Sequence, residues 1–196
     1  MVNGGELVAE LTEYYRQVEE INRDAENLIE GLSDAQFNWR PAENIWSVGD
    51  CLEHLNITSR LYFPVIAEAI TRSRTSGVMS PGPYKHGWLG NRIVRSTEPP
   101  VKTRFKAPPK FRPLANHPLT QAWSQFVAFQ DQLLKLIREA NGVDLARTKV
   151  PLPATNLVKL TLGQGFGLIA AHERRHLWQA RRVKEDPNFP MKIQPR

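Results

Sequence analysis

Apolar side chains recur every three or four residues in four long stretches of the chain, a pattern typical of amphipathic helices. The first stretch runs from about Glu6 to Gly31, and its apolar positions are Leu7, Leu11, Tyr14, Val18, Ile21, Ala25, Leu28 and Leu32. The third runs from about Pro118 to Ala140, and the fourth from about Thr161 to Glu185. The alternating intervals predict helices that pack nearly parallel to their neighbours.

The second helix is predicted to begin at Ser47. The run from Ser47 to Asp50 matches a capping box, with Asp at the fourth place where Glu is usual. Pro64 falls inside the same helix and is expected to bend it. At about 100° per residue, His54 lies on the flank of the apolar face that includes Cys51, so its side chain can point into a bundle.

The connections between these helices differ in length. Residues 33–44 read as a short turn broken by Pro41, and residues 143–160 as a second crossing rich in proline and β-branched residues. Residues 74–117 have no clean periodicity and contain seven prolines. A connection of this length inside a compact domain is usually functional or disordered. The pattern predicts an all-α fold of four helices with long crossover connections.

The composition is that of a globular protein. With 196 residues and 41% hydrophobic residues, we expect one domain that spans residues 1–196. The single cysteine, Cys51, excludes an internal disulfide and a cysteine-based zinc site. No basic start followed by an apolar run occurs in residues 1–10, and no run of 18 apolar residues occurs anywhere. The protein is therefore expected in the cytoplasm, away from the membrane.

The net charge of +6 is concentrated in one segment. Residues 74–117 hold nine basic residues against Glu98 alone, so this segment carries +8 and the other 152 residues sum to −2. Aromatic residues lie among the basic ones, which is a feature of some nucleic-acid-binding or acidic-partner-binding segments. We expect instead a solvated, proline-rich cover over the bundle, and no nucleic-acid partner.

Three histidines are the candidate functional residues. His172 and His176 are four residues apart on the predicted fourth helix, so both imidazoles can point to one place. His54, from the facing side of the second helix, would complete a three-nitrogen metal site with an open coordination position. The ordinary alternative is that a lone histidine such as His54 is a hydrogen-bonded core residue.

A metal site of this kind supports two reactions. Neutral imidazoles bind Zn²⁺, Ni²⁺, Cu²⁺ and Fe²⁺. The bound ion can hold a thiol as the thiolate for attack on an electrophile, or it can generate hydroxide from bound water for hydrolysis. Three histidine ligands by themselves do not decide between transfer and hydrolysis.

Residues near the three histidines carry further expectations. Asp50 could hold the outer nitrogen of a ligand imidazole, although its use as the acid of the capping box is the stronger interpretation. Cys51 is expected to be a small core residue. Glu173 points about 100° away from His172 and is expected to form a surface ion pair. The two remaining histidines, His86 and His117, are expected on the surface.

Two sequence blocks resemble the DinB-like superfamily of metal-binding four-helix bundles. One block is Leu32-Ser33-Asp34-Ala35-Gln36-Phe37-Asn38-Trp39-Arg40-Pro41, followed by Trp46-Ser47 and His54-Leu55. The other is Ala171-His172-Glu173-Arg174-Arg175-His176-Leu177-Trp178-Gln179. The resemblance implies an up-down-down-up bundle with two long crossings, in which His54, His172 and His176 bind nickel or zinc. The length and basicity of residues 74–117 depart from the family pattern.

The resemblance also implies a class of reaction. Relatives include thiol-dependent enzymes, namely bacillithiol transferases and a mycothiol-dependent maleylpyruvate isomerase, and others described as metal-dependent hydrolases. Our leading hypothesis is a thiol-dependent S-transferase that acts on a small molecule with a low-molecular-weight thiol as cosubstrate. A hydrolase and a non-enzymatic binding module that uses residues 74–117 are the alternatives. A homodimer is also compatible with such a bundle.

Overall fold

The four predicted long helices are present. In the computed structural model of the chain, the described residues are 6–101, 106–152 and 155–190, without the side chains of 156 and 157. The long helices are α1 (Ala9–Ile29), α3 (Val48–Thr75), α5 (Leu119–Glu139) and α6 (Leu162–Lys184). Helices α1, α5 and α6 begin and end within three residues of their predicted bounds, and α3 begins one residue after the predicted start at Ser47. None of them combines the length with the apolar composition that crossing a bilayer requires.

Local hydrogen bonds explain where two of these helices begin. Ser47 and Asp50 form the predicted capping box, in which each side chain accepts a hydrogen bond from the other residue's backbone N–H, at 2.9 and 2.8 Å. Thr161 and Gln164 form the same motif before α6. The first helix ends just before Gly31, whose φ of 68° is readily adopted by glycine.

Several short elements were not predicted. These are α2 (Asp34–Phe37), α4 (Trp88–Thr97), a 3₁₀ turn at Pro109–Phe111, and the antiparallel strands β1 (Lys149–Leu152) and β2 (Thr155–Thr161). The fold is mostly helical with one small two-stranded sheet, which is consistent with the all-α prediction. The two strands lie in the second crossing, for which the sequence predicted only a connection. Val150 and Leu160 are paired across the strands and both are buried, so the β-branched and apolar residues of this crossing form a ribbon against the bundle.

Helix α4 lies inside the segment for which no periodicity was found. It packs against α6 at Gly90, where a Cβ atom would clash with the side-chain amide of Gln164. On its opposite side Trp88 and Leu89 are 73% and 52% exposed. With ten residues the helix makes only about three turns, too few for its apolar spacing to repeat as it does in the long helices. The basic and aromatic residues at 102–105 that the sequence drew attention to lie outside the described residues.

The interior contains two apolar clusters. The first includes Leu11, Tyr62, Phe63, Ile66, Leu133, Ile137, Phe166 and Ile169. The second includes Ile21, Leu28, Phe37, Cys51, Leu52, Leu55, Phe126 and Leu177. Buried polar residues lie among these apolar residues on α3, α5 and α6, namely His54, Asn56, Ser59, Gln130, Glu173 and His176. This polar level of the bundle positions the candidate site.

Candidate metal centre

His54, His172 and His176 converge as the sequence spacing predicted. The Nε2 atom of His172 lies 3.2 Å from Nε2 of His54 and 3.2 Å from Nε2 of His176. All three potential ligand atoms lie within 4.8 Å of one another, and among the described residues this is the only group of three or more such side chains that could hold a metal ion. Packing of α3 against α6 brings His54 to the other two.

A backbone carbonyl sets the protonation of His54. Nδ1 of His54 lies 2.7 Å from the carbonyl oxygen of Phe111, which can only accept a hydrogen bond. Nδ1 must therefore carry the proton, and Nε2 presents its lone pair to the other two histidines. The sequence offered no signal for this contact, because the group that makes it is a main-chain carbonyl 57 residues away.

Aromatic rings enclose the histidines. The indole of Trp46 packs against His54 with a centroid separation of 4.9 Å and against His176 at 5.7 Å. The ring of Phe111 meets His54 edge-on at 6.4 Å. These contacts restrict rotation of the imidazoles. Trp46 belongs to the Trp46-Ser47 motif, and the motif alone does not predict that its indole packs on the histidines.

The surroundings keep all three imidazoles neutral. Burial lowers the pKa of His54, lowers that of His172 to about 3, and lowers that of His176 well below its usual range. The positive charge of Arg175 lowers all three pKa values further. The side chain of Gln179 raises the pKa of His176 and so opposes the effect of burial. The buried Nδ1 of His176 has no hydrogen-bond partner of good geometry among the described residues. Neutral imidazole is the form that binds a metal.

The spacing and chemistry of these nitrogens fit a divalent metal ion. Two nitrogens bound to one zinc at about 2.0–2.1 Å and at a tetrahedral angle lie about 3.3 Å apart, close to the 3.2 Å seen here. Lone pairs that face one another at this distance repel unless a proton or a cation lies between them. A single proton on Nε2 of His172 could satisfy the Nε2 atoms of both His54 and His176 only by being shared between them. One metal ion, in contrast, can accept the lone pairs of all three nitrogens.

Comparison with known proteins identifies the family. A family model for the DinB superfamily matches residues 17–180, which is most of the chain. The chain belongs to the DinB superfamily. This superfamily is known for metal binding, and the matched range contains all three histidines.

One curated relative extends the comparison. The DinB chain is similar to the uncharacterized protein YuaE of Bacillus subtilis (strain 168). The two are 26% identical over 160 residues, which cover 81% of this chain and 90% of that protein. No solved structure matches the chain significantly.

Asp50 does not hold a ligand histidine in this DinB protein. Its carboxylate accepts hydrogen bonds from the Ser47 backbone at 2.8 Å and from two nitrogens of Arg40 at 2.8 and 2.9 Å. The ring nitrogens of His54 lie next to the Phe111 carbonyl and to Nε2 of His172. Asp50 therefore does not occupy the outer nitrogen of His54, which was the weaker of its two predicted roles. The stronger interpretation, the acid of the capping box, is confirmed. The prediction that Cys51 is a core residue is also confirmed, and burial raises the pKa of its thiol.

The prediction of a surface ion pair for Glu173 is wrong. Glu173 is 2% exposed and accepts a hydrogen bond of 2.8 Å from the side-chain amide of Gln130. Burial raises the pKa of its carboxyl to about 7. The reason is that α6 is surrounded by other helices: it packs against α1, α3 and α4, and Glu173 reaches α5 through its hydrogen bond with Gln130. The face of α6 that carries Glu173 therefore meets another helix instead of solvent.

His86 and His117 are not the surface residues that the sequence predicted. The His86 side chain is 12% exposed; its Nε2 lies 2.9 Å from a Glu10 carboxylate oxygen, and its Nδ1 lies 2.7 Å from the Thr161 hydroxyl. The His117 side chain is also 12% exposed, with Nε2 3.7 Å from Asp50. Both lie in the long connection where it folds back onto the helices. Neither belongs to the three-histidine group.

Acid is expected to destabilise the metal-free DinB protein through these histidines. An unfolded histidine has a pKa of about 6.5, whereas that of His172 is lowered to about 3. As the pH falls from 6.5 towards 3, the unfolded chain therefore binds a proton that the folded chain does not. The free energy of unfolding should fall by at most about 1.4 kcal/mol per pH unit from this residue, and His172 should contribute nothing above pH 6.5.

Urea unfolding at pH 7, 6 and 5 measures this effect. The metal-free wild type should lose more stability over this range than a His172→Asn variant, which lacks the titrating group. Equal losses in the two proteins would contradict the assigned shift.

Proposed function

We propose that this protein is a divalent-metal-dependent enzyme in which His54, His172 and His176 hold nickel or zinc. The observation that carries the proposal is the approach of three Nε2 atoms, from neutral rings that are buried in His54 and His176 and half-buried in His172, to distances suited to one ion. Membership of a metal-binding superfamily supports it. Three protein ligands leave at least one coordination position for a substrate.

The reaction we propose is thiol-dependent S-transfer to a small electrophilic molecule. When bound, the ion supplies the Lewis acidity that lowers the pKa of a thiol. The sulfur forms a bond to an electrophilic carbon, whose leaving group departs with its bonding electrons, and the thiol proton passes to solvent. The basic segment 74–117 contributes Phe111 to the surroundings of His54, and its positive charge favours a low-molecular-weight thiol or substrate that carries an anionic group.

A paired assay tests this reaction. The metal-loaded protein is incubated with a panel of low-molecular-weight thiols and a generic alkylating electrophile, and separately with ester and amide substrates. We expect conjugation that requires added metal and is lost in His172→Ala, with no hydrolysis. Metal-dependent hydrolysis without conjugation would favour the alternative, a hydrolase that uses the same three ligands and water.

One surface favours a further candidate, a non-enzymatic binding module. Trp88, Arg92 and Arg95 lie at i, i+4 and i+7 on α4, and all three are exposed. Among the described residues, neither arginine has an acidic partner within ion-pair distance. If both chemical assays fail, binding of an oligonucleotide at low salt that Trp88→Ala weakens would support this candidate. If the protein binds no oligonucleotide at low salt, a function as a nucleic-acid-binding module is excluded.

The larger organisation is also part of the proposal. The four long helices share one interior, which supports an up-down-down-up four-helix bundle. We further propose a cytoplasmic location, based on the single reduced cysteine. Association as a homodimer can be tested by light scattering on the purified protein.

A further inference from the structure

The connection between α3 and α5 ends in a segment that we call the strap, residues 106–118. We propose that the strap is a working part of the metal centre, in which Phe111 and Asn38 are positioning residues that hold the imidazole of His54 in its metal-binding form. This inference rests on the proposed function, and it gives a role to a segment that the sequence marked only by charge and proline content.

The first step is the contact between the strap and His54. The Phe111 carbonyl accepts the Nδ1–H of His54 at 2.7 Å, and the Phe111 side chain is 5% exposed. Burial of this ring fixes the position of its own carbonyl. A hydrogen bond at the outer nitrogen of a ligand histidine selects the tautomer and the ring orientation that a metal requires.

The second step is the internal order of the strap. Phe111 is the last residue of a 3₁₀ turn, and its backbone N–H donates a hydrogen bond to the Pro108 carbonyl at 2.9 Å. The backbone N–H of Arg112 donates to Pro109 at 3.1 Å, and its side chain donates to the Ala107 carbonyl at 2.8 Å. The carbonyl that faces His54 therefore belongs to a hydrogen-bonded unit. This unit moves as a whole if its attachment to the bundle is lost.

The third step is the attachment of the far end of the strap. The Asn38 side chain donates to the His117 carbonyl at 2.7 Å and accepts from the His117 backbone N–H at 2.8 Å. Asn38 is itself held at the end of α2, because it also donates to the Asp34 carbonyl at 2.9 Å. Between the two attachments, Leu114 is 83% exposed. Phe111 and Asn38 are thus two of the points that tie the strap to the bundle beside His54, and the His117 ring lies against Asp50 at the same end as Asn38.

The chain provides a matched control for Asn38. Asn141 makes the same pair of bonds elsewhere: its amide donates to the Glu6 carbonyl and its oxygen accepts from the Val8 backbone N–H, both at 3.2 Å. It lies just beyond the opposite end of α5 from the strap. Asn38→Ala and Asn141→Ala therefore each remove a side-chain clamp on two backbone groups, and only the first clamp belongs to the strap; Asn38→Ala also removes the bond to the Asp34 carbonyl.

Two measurements test the inference on the full chain. The first is the dissociation constant for Zn²⁺ from competition titration with a chromophoric chelator. The second is the ¹⁵N spectrum of the His54 ring in the metal-free protein, which distinguishes the two tautomers. Phe111→Ala should weaken Zn²⁺ binding about 10- to 100-fold, the range for loss of an outer contact to a ligand. Asn38→Ala should weaken binding several-fold, Asn141→Ala should not, and Phe111→Leu should recover most of the loss.

The ring spectrum separates failure of this inference from failure of the proposed function. In the wild type we expect a proton on Nδ1 of His54, and in Phe111→Ala a mixture of tautomers. If the wild type binds no Zn²⁺ but the spectra differ in this way, the proposed function fails and the strap still positions His54. Unchanged spectra and unchanged Zn²⁺ affinity in Phe111→Ala would overturn the inference, as would equal effects of Asn38→Ala and Asn141→Ala.

Discussion

Replacing His54, His172 or His176 with alanine is expected to lower the metal content of the purified protein from about one equivalent to nearly none. Each imidazole contributes one of three nitrogens that meet within 4.8 Å, and two nitrogens alone compete poorly with chelators in solution. Since outer contacts to a ligand are worth about 10- to 100-fold in affinity, loss of a ligand itself should exceed about 100-fold. Elemental analysis and a Zn²⁺ or Ni²⁺ competition titration measure both quantities.

The two other half-buried histidines provide the controls. His86→Ala and His117→Ala also remove an imidazole from a hydrogen-bonded or ion-paired setting, but neither residue belongs to the three-histidine group. Both variants should retain metal at the wild-type stoichiometry. If the wild-type protein does not bind added Zn²⁺ or Ni²⁺, the three histidines are core residues and not metal ligands.

Asp50→Ala is expected to lower the free energy of unfolding by about 3 kcal/mol, the lower end of the range for breaking a buried ion pair. Asp50 is 1% exposed and accepts three hydrogen bonds, two from Arg40 and one from the backbone of Ser47. Its loss removes the cap of α3 and the charge that pairs with Arg40. The lower end applies because the Arg40 side chain is 36% exposed and can be solvated.

An exposed pair of the same chemistry is the control for Asp50. Glu13 also binds one arginine through both carboxylate oxygens, but its side chain is 49% exposed and that of Arg16 is 53% exposed. Glu13→Ala should cost less than about 1 kcal/mol, because solvent screens an exposed pair. Urea unfolding of the metal-free variants compares the two. Similar losses in the free energy of unfolding for Asp50→Ala and Glu13→Ala would contradict the prediction that burial makes the Asp50 ion pair the more stabilising of the two.

The sequence was sufficient to predict the long helices and the three converging histidines. A helix of more than 20 residues repeats its apolar pattern over several turns, so α1, α5 and α6 were found nearly to their ends and α3 nearly from its start. The capping box at Ser47 is a local motif, and local motifs survive in the folded chain. His172 and His176 needed only the helical period, and His54 only its place on an inward flank.

The short elements could not be predicted from periodicity. Helix α4 has ten residues, about three turns, so its apolar spacing is repeated too few times to indicate a helix by itself. Strand β1 packs on α3, which lies far away in sequence, where Val150 is buried in the first apolar cluster, and Leu160 of β2 pairs with Val150 and is also buried. Such elements are stabilised mostly by the surface they pack on, and single-sequence patterns do not contain that surface.

The environment of each candidate residue was decided by the tertiary structure. The sequence by itself determined which side chains share a helical face, since that depends only on the helical period. It could not determine what lies opposite each face: α5 opposite Glu173, the Phe111 carbonyl opposite His54, and Glu10 opposite His86. Burial and hydrogen-bond partners depend on contacts between distant parts of the chain, and these contacts set both the protonation and the orientation of the three histidines.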